Sequence, residues 1–208
     1  MDNPVRGFLH GTAALVSVVG LVALLQAGSN GALLATATIY GLALIALYAT
    51  SSLYHSVPWR ETWKARLQRL DHTMIYVLVA ATYTPLVVAA IDGPWVVVGL
   101  IGVWGLALLG FIREFWLPQA GRGLLVAQIA VGSLCLVPFW LTLASLDVAT
   151  SIFVVVGGVV YLTGVVMFVN DFPRLAPGIF SHHEMWHIFV IAASVAHFVA
   201  VWRVVGGG

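Results

Sequence analysis

Between Arg6 and Arg60 the chain runs for 53 residues without an Asp, Glu, Lys or Arg. Water cannot cover such a stretch, and it is too long for one membrane crossing, which takes about 20 apolar residues. It must fold back on itself within an apolar medium, and Ala27-Gly28-Ser29-Asn30-Gly31 is the segment with turn chemistry. The rest of the chain has the same character. Of its 208 residues 61% are hydrophobic and 8% charged, whereas soluble domains carry about 25% charge. Mean hydropathy is +1.02. A soluble fold is excluded, and lipid has to cover the surface. A net charge of +1 argues against nucleic acid, which clustered Lys and Arg recognise. The single cysteine, Cys135, excludes an internal disulfide and a Cys-rich metal site.

The remaining charges bound further spans: Asp71 and Asp92, Asp92 and Arg113, Arg122 and Asp147, Asp147 and Asp171. The expected architecture is all-α and integral to the membrane. It is one domain over residues 1–208, a seven-transmembrane helix bundle with spans near 8–26, 32–56, 72–91, 93–112, 123–146, 148–170 and 180–205. Each span must be helical, because lipid offers no partner to an open backbone group. Pro85 and Pro138 are expected to kink the third and fifth spans. Gly99, Gly102, Gly157, Gly158 and Gly164 are expected to let helices approach closely. Seven crossings place Arg6, the loop holding Arg60, Lys64, Arg66 and Arg69, the loop with Arg113 and Arg122, and the loop with Arg174 on one side; only Arg203 lies opposite. The positive-inside rule makes that side cytoplasmic, with the amino terminus inside and the carboxyl terminus outside.

Ionisable side chains in or beside spans are functional candidates, since lipid makes them costly. The second span ends in Ser51-Ser52-Leu53-Tyr54-His55, the first turn of the third carries Asp71, and the seventh opens with Ser181-His182-His183-Glu184-Met185-Trp186-His187. This topology puts His55, Asp71, His183 and His187 at one depth. His183 and His187 stand four apart on one helical face, about 6 Å along the axis. With His55 they supply three imidazoles and leave a fourth position for water, the donor set of catalytic zinc. The absence of nearby Cys and of several carboxylates makes Zn2+ the expected ion. Asp71 is placed to orient that water or take its proton, and Ser51, one turn from His55, to hydrogen-bond Asp71. The plain alternatives are interhelical hydrogen bonding for the histidines, a carboxylate at a helix start for Asp71, and a serine bonded to its own helix for Ser51.

The string His183-Glu184-Met185-Trp186-His187 also satisfies H-E-x-x-H, in which Glu is the base of a metalloprotease. Nothing else in the chain suits peptide cleavage, and a boundary position lets Glu184 be simply solvated. His197 lies ten residues past His187, about 15 Å deeper, and is expected to be packed and hydrogen-bonded. His10, His72 and His182 are expected near the cytoplasmic boundary, solvated or supporting the site, and Asn170 and Asp171 beside it. Trp59, Trp63, Trp95, Trp116 and Trp202 read as interface anchors.

Three ordered motifs resemble the hemolysin III family: Ser51-x-x-x-His55; Leu70-Asp71-His72 leading to Ala81-Thr82-Tyr83-Thr84-Pro85; and His183-x-x-x-His187-Ile188-Phe189-Val190. That family belongs with the progestin and adipoQ receptors, among them the adiponectin receptors. The resemblance covers essentially the whole chain. It implies seven helices, a cytoplasmic amino terminus, a bacterial cytoplasmic (inner) membrane location, and zinc near the cytoplasmic face. The zinc ligands it implies are His55, His183 and His187, with Asp71 contacting the metal's water and Ser51 as the motif serine.

The leading expectation is a zinc-dependent hydrolase of lipid amides or esters, ceramidase-like, with membrane lipid as its surroundings and a lipid-like substrate as its partner. One alternative is a pore-forming, cytolytic protein, which needs a polar stripe that Gln128, Ser133 and Thr142 scarcely provide. Another is a sensor or receptor with structural zinc, which would need Asp71 as a fourth ligand. A retinal-binding pump is excluded, because the only lysine is Lys64, in a loop.

Overall fold

The computed structural model describes residues 4–28, 30–116, 137–176 and 180–207. Seven helices lie among them: α1 (Pro4–Ala27), α2 (Gly31–Ser56), α3 (Glu61–Ala90), α4 (Pro94–Trp116), α5 (Val137–Ser145), α6 (Val148–Val169) and α7 (His182–Gly206). All but α5 are long and apolar enough to cross a membrane. The fifth expected span, 123–146, falls largely on residues 117–136, outside the described residues; its last part is α5. No strand forms among the described residues, only one antiparallel bridge between Ala176 and Phe180.

Local chemistry sets the helix ends. Asn30 caps α2 by accepting from the N–H groups of Ala32 and Leu33, so the turn falls where the Gly-Ser-Asn segment places it. Asp147 caps α6 in the same way through Ala149 and Thr150. The start of α3 departs from expectation. The segment with Lys64, Arg66 and Arg69 is helix rather than loop, and α3 begins at Glu61. Glu, Lys, Ala, Arg, Leu and Gln are good helix formers, and Pro58 ends the previous element just before them. At 30 residues α3 is about 45 Å long, beyond the ~30 Å hydrocarbon thickness, so its polar first turns extend past the lipid. Asp71 is therefore the eleventh residue of its helix and not in the first turn, which removes the helix-start explanation for its charge.

The helices α2, α3 and α7 are mutual neighbours; α1 packs on α2 and α7, α4 on α3, and α6 on α7. The main core, with Leu24, Tyr40, Leu44, Leu47, Leu86, Val190 and Val201, fills the space between α1, α2, α3, α6 and α7, and a second core joins α3 to α4. Outward faces are apolar, as at Phe8, Leu15, Val19, Ile101, Leu109 and Val148, which is what a lipid-covered bundle requires. Several glycines permit close approach: a Cβ at Gly110 would fall within the Tyr76 ring, one at Gly157 within the His197 ring, and one at Gly164 against the Phe189 side chain. Gly158 is different, since nothing lies within 4 Å of a Cβ built there, and it borders a cavity instead.

Candidate metal centre

The end of α2 fixes His55. The N–H of Val57 donates to the Leu53 carbonyl, as does the Trp59 indole at 2.9 Å, and Pro58 bars continuation. His55 is thus in the last turn, with Ser51 one turn before it. The start of α7 fixes the other two imidazoles. Glu184 accepts from the Ser181 N–H at 2.8 Å and closes the first turn, so His183 and His187 share one face.

The structure brings these three histidines together. Their nearest donor nitrogens all lie within 4.8 Å of one another, and the group could hold a metal ion. Ring centres are 5.3 Å apart for His55 and His183, 4.9 Å for His55 and His187, and 5.2 Å for His183 and His187. Three imidazoles on one tetrahedral ion at ~2.0–2.1 Å would have ring centres about 5 Å apart. The rings are thus spaced as a shared ion requires, and only a small closure of the nitrogens is needed. His55 and His187 are buried, and His55 Nε2 and His187 Nδ1 have no hydrogen-bond partner. Buried polar atoms are rarely left that way, so the donor set fits a cation.

Asp71 and Ser51 line a cavity of about 90 Å³ together with His10, His72, His183 and His187. The Ser51 hydroxyl pairs with the Asp71 carboxyl. Beside it lies a larger, almost wholly apolar cavity of about 360 Å³, reaching Tyr40, Leu86 and His197. Leu47, Ile75, Tyr161 and Val190 border both. Of the larger cavity's lining, Trp140, Val155 and Val159 are exposed on the outer face, so its mouth opens sideways, between α5 and α6.

Other expectations are corrected. Glu184 is not solvated: it is 2% exposed and accepts from Arg6 Nε at 2.6 Å. With one oxygen on Arg6 and the other on Ser181, it is committed to structure, and the H-E-x-x-H pattern carries no protease base here. Asn170 turns back on its own helix, donating to the Val166 carbonyl at 2.7 Å. His182 pairs with Asp171 at 3.2 Å and His72 with Glu114 at 3.3 Å. His197 is packed, its Nε2 3.3 Å from the Val154 carbonyl, as its depth suggested. For His10, sequence reasoning left a solvated and a supporting position open. It is 3% exposed, not at a solvated boundary, and its ring centre lies 4.0 Å from that of His187. The available signal was a lone imidazole in an uncharged span, four residues past Arg6, but nothing in the sequence said that α1 packs on α7.

Fold and site define a multi-pass integral membrane protein with a three-histidine group, two of its members buried and one half-buried, gathered from two helices near one end of the bundle. The chain belongs to the Haemolysin-III related family, whose model matches residues 1–198. It is 32% identical to the hemolysin-3 homolog of Bacillus subtilis (strain 168), over 92% of this chain and 89% of that protein. It is 30% identical to hemolysin-3 of Bacillus cereus, over 92% and 86%. The human monocyte to macrophage differentiation factor is 28% identical, over 97% and 84%. The Bacillus relatives and the apolar helices together indicate a bacterial inner-membrane protein.

Proposed function

We propose that this protein is a zinc-dependent intramembrane hydrolase of lipid amides or esters, oriented with its amino terminus and its metal centre toward the cytoplasm. The observation that carries the reading is the junction of two cavities: a small one lined by Asp71, Ser51, His183 and His187, the two histidines that group with His55, and a large, almost wholly apolar one that reaches the outer face. His55, His183 and His187 would hold Zn2+. Bound there, zinc supplies a nucleophilic water near neutral pH and polarises a carbonyl.

The protein's own residues do the rest. The apolar cavity takes the acyl chain through its side mouth and excludes water from it. Leu47, Ile75, Tyr161 and Val190 sit where the chain ends and the polar group begins, setting the carbonyl against the small cavity. Asp71 takes a proton from the attacking water on a carboxylate oxygen, and Ser51 holds that carboxylate in place. As the carbonyl C–N or C–O bond breaks, Asp71 returns the proton to the departing amine or alcohol, so one water is consumed and a fatty acid is released. All of this lies at the end of the bundle that gathers all the described basic residues except Arg203, which supports the cytoplasmic assignment.

The test is incubation of detergent-purified protein with a panel of ceramides and other N-acyl and O-acyl lipids, with and without a zinc chelator. Fatty-acid release that chelation abolishes and added zinc restores is expected. Release from no lipid, or release indifferent to chelation, overturns the proposal.

A further inference from the structure

His72 follows Asp71 in the chain and lines the same small cavity. Its Nδ1 stands 3.3 Å from Glu114 Oε2, and the other Glu114 oxygen accepts from the Arg113 guanidinium. Glu114 and Arg113 are both buried, so α4 brings a sealed charged pair to one imidazole. Such a pair seldom improves stability over apolar side chains, and ionisable groups in or beside spans mark function. Arg113 and Arg69 both face Glu114, which keeps it a carboxylate that accepts. A carboxylate at Nδ1 holds the proton there and fixes the ring, and a neutral imidazole then presents Nε2 as an acceptor. Nε2 has no hydrogen-bond partner among the described residues, and the side chain is 36% exposed. Gln68, one turn earlier on α3, lines the cavity too and is exposed. Along α3 the order is therefore an aqueous mouth at Gln68, the imidazole of His72, and the junction with the apolar cavity at Ile75.

We propose that His72 is a specificity-determining residue for the leaving part of the substrate, its Nε2 accepting a hydrogen bond from a hydroxyl beside the scissile amide or ester. This rests on the hydrolase reading. With the acyl chain in the apolar cavity and the carbonyl at the junction, the departing amine or alcohol lies in the small cavity, toward His72 and Gln68. An acceptor fixed at that place favours a leaving part that brings an O–H donor to it. A plain alkyl group there leaves the imidazole nitrogen unmatched, and a phosphate brings acceptors to an acceptor. The substrate class is thus amides and esters of amino alcohols or polyols, rather than of alkylamines and alkanols. Glu114 is the positioning residue of this contact: it touches no substrate and acts by setting which nitrogen of His72 carries the proton and where the ring points.

The experiment compares kcat/KM for a matched pair, an N-acylethanolamine and the N-ethyl amide of the same fatty acid. It uses the zinc-loaded full chain as wild type, His72→Phe, His72→Gln and Glu114→Gln, with zinc content measured on each. Wild type is expected to prefer the hydroxylated amide about 3–10-fold, the worth of one hydrogen bond. His72→Phe is expected to bring that ratio to unity with zinc content unchanged. His72→Gln, whose amide oxygen accepts, is expected to keep part of the preference, and Glu114→Gln to fall between wild type and His72→Phe. A wild-type ratio of unity, a wild-type ratio retained in His72→Phe, or zinc lost from His72→Phe overturns this proposal alone. So does a wild type that cleaves other acyl lipids and neither amide. Where His72→Phe fails to fold, the two glutamine variants decide, and the wild-type ratio in both overturns the proposal. A wild type that cleaves no lipid overturns it together with the proposed function.

Discussion

Replacing Glu184 with glutamine sets the sequence pattern against the structure. In a zincin Glu184 would be the general base, and removing its charge would cost about 10²-fold or more in turnover with little effect on stability. In this structure it is a tether between the first and last helices. The Arg6 Nε–Glu184 Oε1 contact is 2.6 Å, with side-chain exposures of 17% and 3%. A hydrogen bond between charged groups is worth about 1.5–3 kcal/mol. The amide introduced by Glu184→Gln keeps an oxygen for the Ser181 N–H, so the cap survives, and a partly exposed Arg6 retains some access to water. The loss therefore stays below the ~3–5 kcal/mol of a fully sealed broken pair. About 2 kcal/mol is expected, or roughly 4–8 °C in Tm for a chain of this length. Thermal unfolding in detergent, followed by tryptophan fluorescence, reads it. Arg6→Met should cost a similar amount, and the double variant little more than either single one. An unchanged Tm together with loss of chelator-sensitive turnover would refute the tether and restore the base.

Three other outcomes are expected. His55→Ala should remove one of three near-equivalent donors and cut zinc content from about one per chain to near zero under dialysis, read by elemental analysis. Gly158→Phe places a ring in the open space of the apolar cavity and should raise KM for long acyl chains at least several-fold while leaving zinc content unchanged. Asp147, at the other end of the bundle, has its carboxyl held down to about 2, first by the Thr150 hydroxyl, then by the Thr150 N–H and by Arg203. A depressed folded value stabilises above the unfolded value near 3.9 and is lost as pH falls from about 5 toward 2. Tm measured across that range should show a steeper acid decline for wild type than for Asp147→Asn.

Charge spacing carried most of the architecture, because in lipid a charged side chain marks a boundary almost wherever it stands. The same rule misled at Lys64, Arg66 and Arg69. A charge there ends the apolar segment but not the helix, and α3 runs through them. The grouping of His55, His183 and His187 followed from topology, since odd-numbered helix starts and even-numbered helix ends meet at one face. Which helices touch is not written in period or charge. The contacts of α2, α3 and α7 come from packing such as that of Leu47, Leu86 and Val190, and the contact of α1 with α7 is what takes His10 off the boundary. Glu184 shows the limit of a short motif: the same five residues bind a protease metal or close a helix turn, depending on what α1 brings to them.

The clasp between Arg6 and Glu184 has a bearing on how a bilayer molecule could come and go. It staples the start of the first helix to the start of the last, and His183 and His187 ride on that last helix. The sideways mouth is on the far side, at Trp140, Val155 and Val159.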